Sequence, residues 1–590
     1  MSRYLSITLS ILLLIFIVIG TLVWVRAFSE SVVAYNSPLR NAVLSPQTSS
    51  LSKTATVVVV LVSGLGFDTA QALELPVFEQ LSQTGANAAV LSSPPTYAQT
   101  AQATIVTGAP AETNSASPID LPVAALSPLE ADTIFARAHE AQQKTILLGL
   151  SDWQRLIPRN HLDETFFVNT SGPDADQAIV ETALSILKNG DYDLVLIQLT
   201  QLDYAAKLQG GPSGAAYRTA ADRVDAYLGQ ISRAIDTSRE VLVVLSDHGS
   251  IASGGHGGDE VEVVWQPFLM IGQGIAPGSY SDIEQIDIAP TISMLLGLAP
   301  PTATQGRILF EMLRLNENEQ AVAQMTLAQQ RVALVKAYLA QITGTPVDTL
   351  DTLDADLAQV HNTYTQNNVG GAFQLAKLTR ENAEAQMATA RHRQIRVEQW
   401  PRLLVVLFVL SVWLILMWRR RGTYAGLIIV ATVITVGLYH LLYQIQGFSY
   451  SISSINDFSQ LPFGIARRTT VSLLAGGGLM LVILMLANER NWVNILGVGF
   501  GFSVLVTFTF ALPLFWTFWL NGPTIKWYLP AVGPVFWQIS AVYEVMVSAF
   551  LGLLLPWPIM FLTLLVSWTR RFLDENQAKT EPDALPGLHL

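Results

Sequence analysis

Asp247-His248, framed by Ser246 and Gly249, and His256, in the run Gly255-His256-Gly257-Gly258, are the residues of this chain best equipped for chemistry. They directly follow the apolar run Val241 to Leu245. Carboxylate oxygen and imidazole nitrogen ligate zinc-like divalent ions, and glycines let a loop close tightly around an ion. An Asp-His pair at a strand end, with a second His in a glycine-rich loop, is what a two-metal hydrolase needs. Blander readings exist for the same residues. Asp247-His248 could bond only to backbone, His256 could be a turn residue, and Asp203 could cap a helix.

Elements that would position these groups are legible. Thr56 to Val62 is a continuous apolar run, β-branched but for Leu61, and ends in Ser63-Gly64-Leu65-Gly66, as a buried parallel strand and its exit turn would. Helical and apolar segments then alternate through Asn87–Leu91, Lys144–Leu150, Asp176–Asn189, Leu194–Leu199 and Ala215–Thr237 to Val241–Leu245. That alternation predicts an α/β fold, a mainly parallel sheet with helices on both faces. Ligands of such sheets sit at the carboxyl ends of the strands, where Ser63, Asp203 and Asp247 all fall.

These pieces resemble, in order, the alkaline phosphatase superfamily, especially its type I phosphodiesterase/nucleotide pyrophosphatase and sulfatase-like branches. The resemblance rests on Val57–Gly66, Pro95-Thr96 through the Thr104–Gly108 ending, Asp203–Gly210, Ser246–Gly249, Gly255–Gly258 and Asp287–Ile292, covering roughly residues 55–310. It implies two metal ions and a Thr, Ser or modified Cys nucleophile. One ion would be held by Asp203, by position 207 and by His256. The other would be held by position 63, by the nucleophile at 98, and by Asp247 and His248. Three of these positions depart from the pattern: Ser63 is a neutral hydroxyl, Lys207 an ammonium and Ala98 inert. Thr96 or Thr100 would have to replace Ala98 as nucleophile in any active version. Lys207 would neutralise Asp203 with a fixed cation where a metal is expected. The remnant metal set is Asp203, Asp247, His248 and His256, for a zinc-like divalent ion or none.

Composition sets the remaining bounds. Half of the 590 residues are apolar and 14% are charged, as in a soluble unit joined to membrane spans. Tyr4–Val25 is long enough to cross a bilayer, which takes roughly 20 apolar residues, and is read as an uncleaved anchor. Five further spans are expected at Leu403–Trp418, Thr423–Tyr443, Thr469–Ala487, Val493–Leu520 and Val542–Trp568. Arg419-Arg420-Arg421 and Arg570-Arg571 belong on the cytoplasmic side. Both termini are then cytoplasmic and residues about 27–400 extracytoplasmic, with Arg467-Arg468 outside as a mild violation. The expected layout is an anchor at 1–27, a tether at 28–54, the α/β unit at 55–310, a helical connector at 311–400, an all-α membrane bundle at 401–571 and a tail at 572–590. His440, Glu544 and Lys526 read as interfacial, Asp259 and Glu260 as solvated.

The chain has no cysteine, so neither disulfide nor thiolate ligand contributes. Its net charge of −12 argues against nucleic acid. The membrane, and subunits of a membrane-protein complex, are the expected partners. The altered site positions favour a pseudoenzyme with a binding or scaffolding role. The alternative is a metal-dependent phosphodiesterase, phosphatase or phosphoethanolamine-type transferase, whose layout of one span, outer domain and span bundle is similar. A transporter is disfavoured by the few ionisable residues in the spans.

Overall fold

The computed structural model describes residues 3–42, 44, 45, 47, 51–344, 350–419, 424–455, 458 and 460–580. Nine strands form one sheet: β1 (Thr56–Val62), β2 (Ala86–Leu91), β3 (Thr145–Leu150), β4 (Glu164–Val168), β5 (Leu194–Leu199), β6 (Glu240–Leu245), β7 (Trp265–Gly272), β8 (Gly278–Ser279) and β9 (Ile283–Glu284). Their order is β4-β3-β5-β1-β6-β7-β2-β8, with β9 paired to β2. The block from β4 to β6 is parallel, whereas β7 runs antiparallel to both β6 and β2.

Successive side chains of a strand point to opposite faces. Val57, Val59 and Leu61 accordingly join one hydrophobic core, and Val58, Val60 and Val62 join the other. Burial on both faces explains why β1 is apolar throughout rather than alternating. Val57 sits beside Leu194 of β5 and Val241 of β6, so these three parallel strands end level with one another. Ser63, the segment leading to Asp203, and Asp247 leave from those adjacent ends.

The connector is three helices. Glu317–Thr343 starts with a capping box between Asn316 and Glu319, Leu350–Thr365 follows, and Val369–Arg419 runs unbroken for 51 residues into the apolar segment. The expected tether is fastened rather than loose. The first helix continues to Val33, and Ser37 Oγ donates to Thr113 O at 3.1 Å.

Among the described residues, six helices are long and apolar enough to cross a membrane: Tyr4–Val33, Val369–Ile415, Ala425–Ile445, Leu461–Leu486, Trp492–Asn521 and Val532–Gln577. The chain is an integral membrane protein by this measure. The last crossing is broken into Val532–Leu554 and Pro556–Thr580, where Pro556 supplies no N–H to the helical ladder. Gly552 faces Ser503 and Gly499 faces Pro556, so both pieces run antiparallel to Trp492–Asn521 as one crossing.

Three expectations change here. The last crossing starts ten residues before Val542. The fourth starts at Leu461 rather than Thr469, because Arg467 and Arg468 lie inside its helix and Arg468 is buried. Glu544, expected at an interface, is buried in the bundle and accepts a hydrogen bond from the Tyr439 hydroxyl at 2.6 Å. Arg420, Arg421 and residues 581–590 lie outside the described residues.

Candidate metal centre

Two chain segments cross almost in contact at the carboxyl end of β1. Gly64 adopts φ +87°, and a Cβ there would lie 2.8 Å from the Cα of Asp203. Glycine therefore suits both the left-handed turn and the close approach. Asp203 N donates to Ser63 O at 3.1 Å and closes the crossing. Asp203 stands in the first turn of the helix Gln201–Leu208 and does not cap it. The start of that helix is held by Asp176, which accepts from the backbone N–H of Thr200 at 2.8 Å and of Gln201 at 3.0 Å.

Asp247 is fully buried and surrounded by donors. Ser63 Oγ gives a hydrogen bond at 2.8 Å, Gly64 N at 3.3 Å and His248 N at 2.9 Å. Burial pushes its carboxyl up, with the nearby His248 and the Ser63 hydroxyl working against that push. Gln198 Nε2 in turn donates to Ser63 Oγ at 3.3 Å. Ser63 thus supplies by hydrogen bonding part of what a cation would supply by charge.

His248 Nδ1 lies 2.9 Å from Gly249 O. A carbonyl only accepts, so this contact places the proton on Nδ1 and leaves a lone pair on Nε2. His256 stacks on His248, with ring centroids 3.6 Å apart and an interplanar angle of 20°. Its Nδ1 is 3.5 Å from Asp203 Oδ1 and its Nε2 is 3.6 Å from Asp120 Oδ2. Burial first, then the neighbouring His248 and the Lys207 ammonium, push His256 down to about 4, so the ring is neutral at ordinary pH.

Lys207 Nζ lies 3.0 Å from Asp203 Oδ2, one helical turn along. Burial alone would lower the Lys207 pKa, but Asp203 and Asp120 outweigh it and raise it. Asp203 is lowered in return: against the upward push of burial, Lys207, His256 and His248 favour its charged form.

Asp120 was not singled out by the sequence, because it stands in a loop with no recognisable spacing to the other ligands. Gln99 N, near the start of the helix Ala98–Thr107, donates to it at 3.1 Å. Burial would raise its pKa, yet the contact with His256 and the charge of Lys207 hold it down to about 2.

One carboxylate oxygen of Asp203 and one ring nitrogen each of His248 and His256 lie within 4.8 Å of one another. Asp203 Oδ1, His248 Nε2 and both nitrogens of His256 are buried without a hydrogen-bond partner. Open lone pairs of this kind, one oxygen and two imidazoles, suit a single divalent ion of zinc type. Asp247, the fourth residue of the expected set, is turned instead to Ser63 and Gly64.

Neither candidate nucleophile bonds to this cluster. Thr96 Oγ1 donates to Gly258 O at 2.9 Å and accepts from Gly257 N at 3.2 Å, bracing the loop just past His256. Thr100 Oγ1 donates to Ser117 O at 2.7 Å. Ala98 opens the helix between Tyr97, whose ring meets His256 edge-on at 5.8 Å, and Gln99. Asp68 is exposed, as is Asp259. Glu260 is not solvated as expected: it accepts from Ser453 Oγ at 2.7 Å, and the same hydroxyl accepts from Gly258 N at 2.8 Å. The metal loop therefore rests directly on the membrane bundle.

Two family models match the α/β unit. Residues 57–114 match the type I phosphodiesterase/nucleotide pyrophosphatase family, and residues 165–300 match the metalloenzyme superfamily. Human GPI ethanolamine phosphate transferase 2, catalytic subunit, is 24% identical over 193 residues, 30% of this chain and 20% of that protein. Human GPI ethanolamine phosphate transferase 3, catalytic subunit, is 24% identical over 294 residues, 47% of this chain and 26% of that protein. The match thus spans about a quarter or less of these relatives. Among solved structures, murine ectonucleotide pyrophosphatase/phosphodiesterase 5 is similar at a TM-score of 0.36 and 15% identity, covering 41% of this chain and 95% of that one.

Proposed function

We propose that this chain, a membrane protein carrying a metalloenzyme-superfamily domain of the phosphodiesterase type, uses that domain as a pseudoenzyme that binds or scaffolds rather than turns over. The observation that carries this reading is the 3.0 Å contact between Lys207 and Asp203. A fixed ammonium occupies the partner position that a histidine ligand would take. It competes with any metal for the same carboxylate. Ala98, at the head of its helix beside His256, offers no oxygen to attack a phosphoryl group. Ser63 provides a hydroxyl where a second charged ligand would be needed to hold two ions.

The second reading is a metal-dependent phosphodiesterase, phosphatase or phosphoethanolamine-type transferase. It is favoured by the unpartnered atoms of Asp203, His248 and His256 and by the transferase relatives. Those three residues would hold one divalent ion, which would supply Lewis-acid charge to a phosphoryl oxygen. Thr96 or Thr100 would have to release its carbonyl partner to act as nucleophile. Asp120 would orient His256 through Nε2.

We place both termini in the cytoplasm and residues about 27–400 outside, since six crossings return the chain to its starting side and Arg570-Arg571 follow the last apolar stretch. Partner subunits are proposed because the relatives are described as catalytic subunits. The deciding experiment is metal analysis of the full chain in detergent, together with phosphodiester and phosphoethanolamine-transfer assays. Turnover that Thr96→Ala or Thr100→Ala abolishes would overturn the pseudoenzyme reading.

A further inference from the structure

Arg468 lies seven residues into the 26-residue helix Leu461–Leu486, about 10 Å from its end at 1.5 Å per residue. A guanidinium is always charged, and an isolated one inside a membrane span is costly. This one is 5% exposed. The rings of Tyr443, Phe448 and Tyr439 surround it at 5.0, 5.7 and 5.8 Å. Among the described residues its hydrogen-bond acceptor is Gln446 Oε1, at 3.0 Å from Nη1, and Nε has no partner. Glu544 feels the charge of Arg468 but is bound by the Tyr439 hydroxyl, and among the described residues no carboxylate oxygen lies within 4.0 Å of the guanidinium nitrogens. Cation–π contact eases the burial of the charge but gives Nε no acceptor.

Arg468 opens into a cavity of about 320 Å³, whose walls include Tyr443, Phe448, Ile455, Gly464 and Phe536. The helix that carries Arg468 begins in the same cavity at Leu461, and its N-cap residue, Gln460, offers it no side-chain cap. Pro462 has no N–H and Gly464 N donates to Gln460 O, so the first turn brings the positive end of the helix dipole, with the N–H groups of Leu461 and Phe463, to the side of the cavity that holds the arginine. Gly464 keeps that space open: a Cβ there would sit 3.5 Å from Arg468 Nη1 and 3.8 Å from Nη2.

We propose that this pocket binds the phosphodiester of a membrane phospholipid. Arg468 and the first turn of Leu461–Leu486 take the anion, and the aromatic walls pack against the glycerol stem. Depth and polarity favour a lipid over free phosphate. The pocket lies near the end of a crossing, at the margin of a hydrocarbon core about 30 Å thick. Its walls are apolar, so a freely hydrated phosphate would lose water with little to replace it. Phe463 and Val471 on the same helix are 73% and 47% exposed, leaving apolar surface beside the pocket for acyl chains. The site is separate from the metal centre and does not depend on whether that centre is active.

The test is the melting temperature of the full chain in dodecyl maltoside with added phosphatidylglycerol, with diacylglycerol of the same chains, or with inorganic phosphate. Phosphatidylglycerol should raise it by about 3 °C or more, and the other two should not. Arg468→Gln and Gly464→Leu should abolish the shift, and Arg468→Lys should keep part of it. If Arg468→Gln does not fold, Gly464→Leu decides, since it blocks the pocket while retaining the arginine and replaces a helical glycine with a better helix former. An equal shift from diacylglycerol, the whole shift from inorganic phosphate, or a full shift in Gly464→Leu would each overturn the proposal.

Discussion

Asp203 divides its two oxygens between a fixed cation and a ring. Oδ2 lies 3.0 Å from Lys207 Nζ, and Oδ1 faces His256 Nδ1 at 3.5 Å. The first contact satisfies the charge of the carboxylate without an ion. The second points an open lone pair at His248 and His256, where an ion would fit. The balance between them decides whether this domain holds a metal.

Replacing Lys207 should tip that balance. Lys207→His is expected to bind zinc at least about tenfold more tightly than the natural chain, a difference of about 1.4 kcal/mol, and Asp203→Ala should remove the gain. Competition with a chelating dye measures the affinity, and elemental analysis of dialysed protein measures the stoichiometry. Two equivalents of zinc retained by the unaltered chain would defeat the argument.

Lys207 should also matter for stability. Lys207→Met leaves Asp203 beside the His248 and His256 rings without its ammonium partner and is expected to cost about 1–3 kcal/mol. This is below the range for fully buried pairs, because the Lys207 and Asp203 side chains are 29% and 15% exposed. Asp203→Asn combined with Lys207→Met should recover most of the loss, since the stranded charge is then gone. Thermal melts of the single and double variants provide the comparison.

Stability should rise as pH falls from 7 toward 5. Burial pushes Asp176 and Asp287 up to about 6, although backbone donors oppose it. Each group binds its proton more tightly folded than unfolded. Its contribution is complete below the ordinary carboxylate value and is lost as pH rises through about 6. A shift of this size corresponds to up to about 3 kcal/mol per group. Asp120, held down to about 2, acts in the opposite sense: its contribution is present above the ordinary value and is lost as pH drops below it. The melting temperature should therefore peak at about pH 4–5, and Asp287→Asn should flatten the rise between pH 7 and 5.

Ser453 should couple the bundle to the metal loop. Ser453→Ala leaves the buried Gly258 N–H without its acceptor and frees Glu260, at a cost of about 1–3 kcal/mol. Amide hydrogen exchange across Gly255–Gly258 should quicken while exchange in β1 stays unchanged. Equal protection in both proteins would mean that the loop is held by other contacts.

Much of this molecule was legible in one dimension. The run Thr56–Val62 announced a strand buried on both faces, because only such a strand is apolar at every position. Motif order singled out Asp203, Asp247, His248 and His256, of which the fold brings Asp203, His248 and His256 within 4.8 Å of one another. Six crossings followed from hydropathy alone. The boundaries were less secure. Arg467-Arg468 looked like the end of a span because a charged pair normally meets water, yet Tyr439, Tyr443 and Phe448 make a place for Arg468 inside the bundle.

The sequence by itself determined the class of sheet, the membrane attachment and which residue types stand at the candidate site, because each is a matter of local periodicity or residue type. Only the tertiary structure decided what those positions now touch. Asp120 reaches His256 from a loop more than a hundred residues away, Ser63 donates to Asp247, and Ser453 of the bundle holds the Gly255–Gly258 loop. Hydrogen bonds and charge pairs act over a few ångströms in space, and spacing along a chain does not record which distant segments packing will bring within that reach.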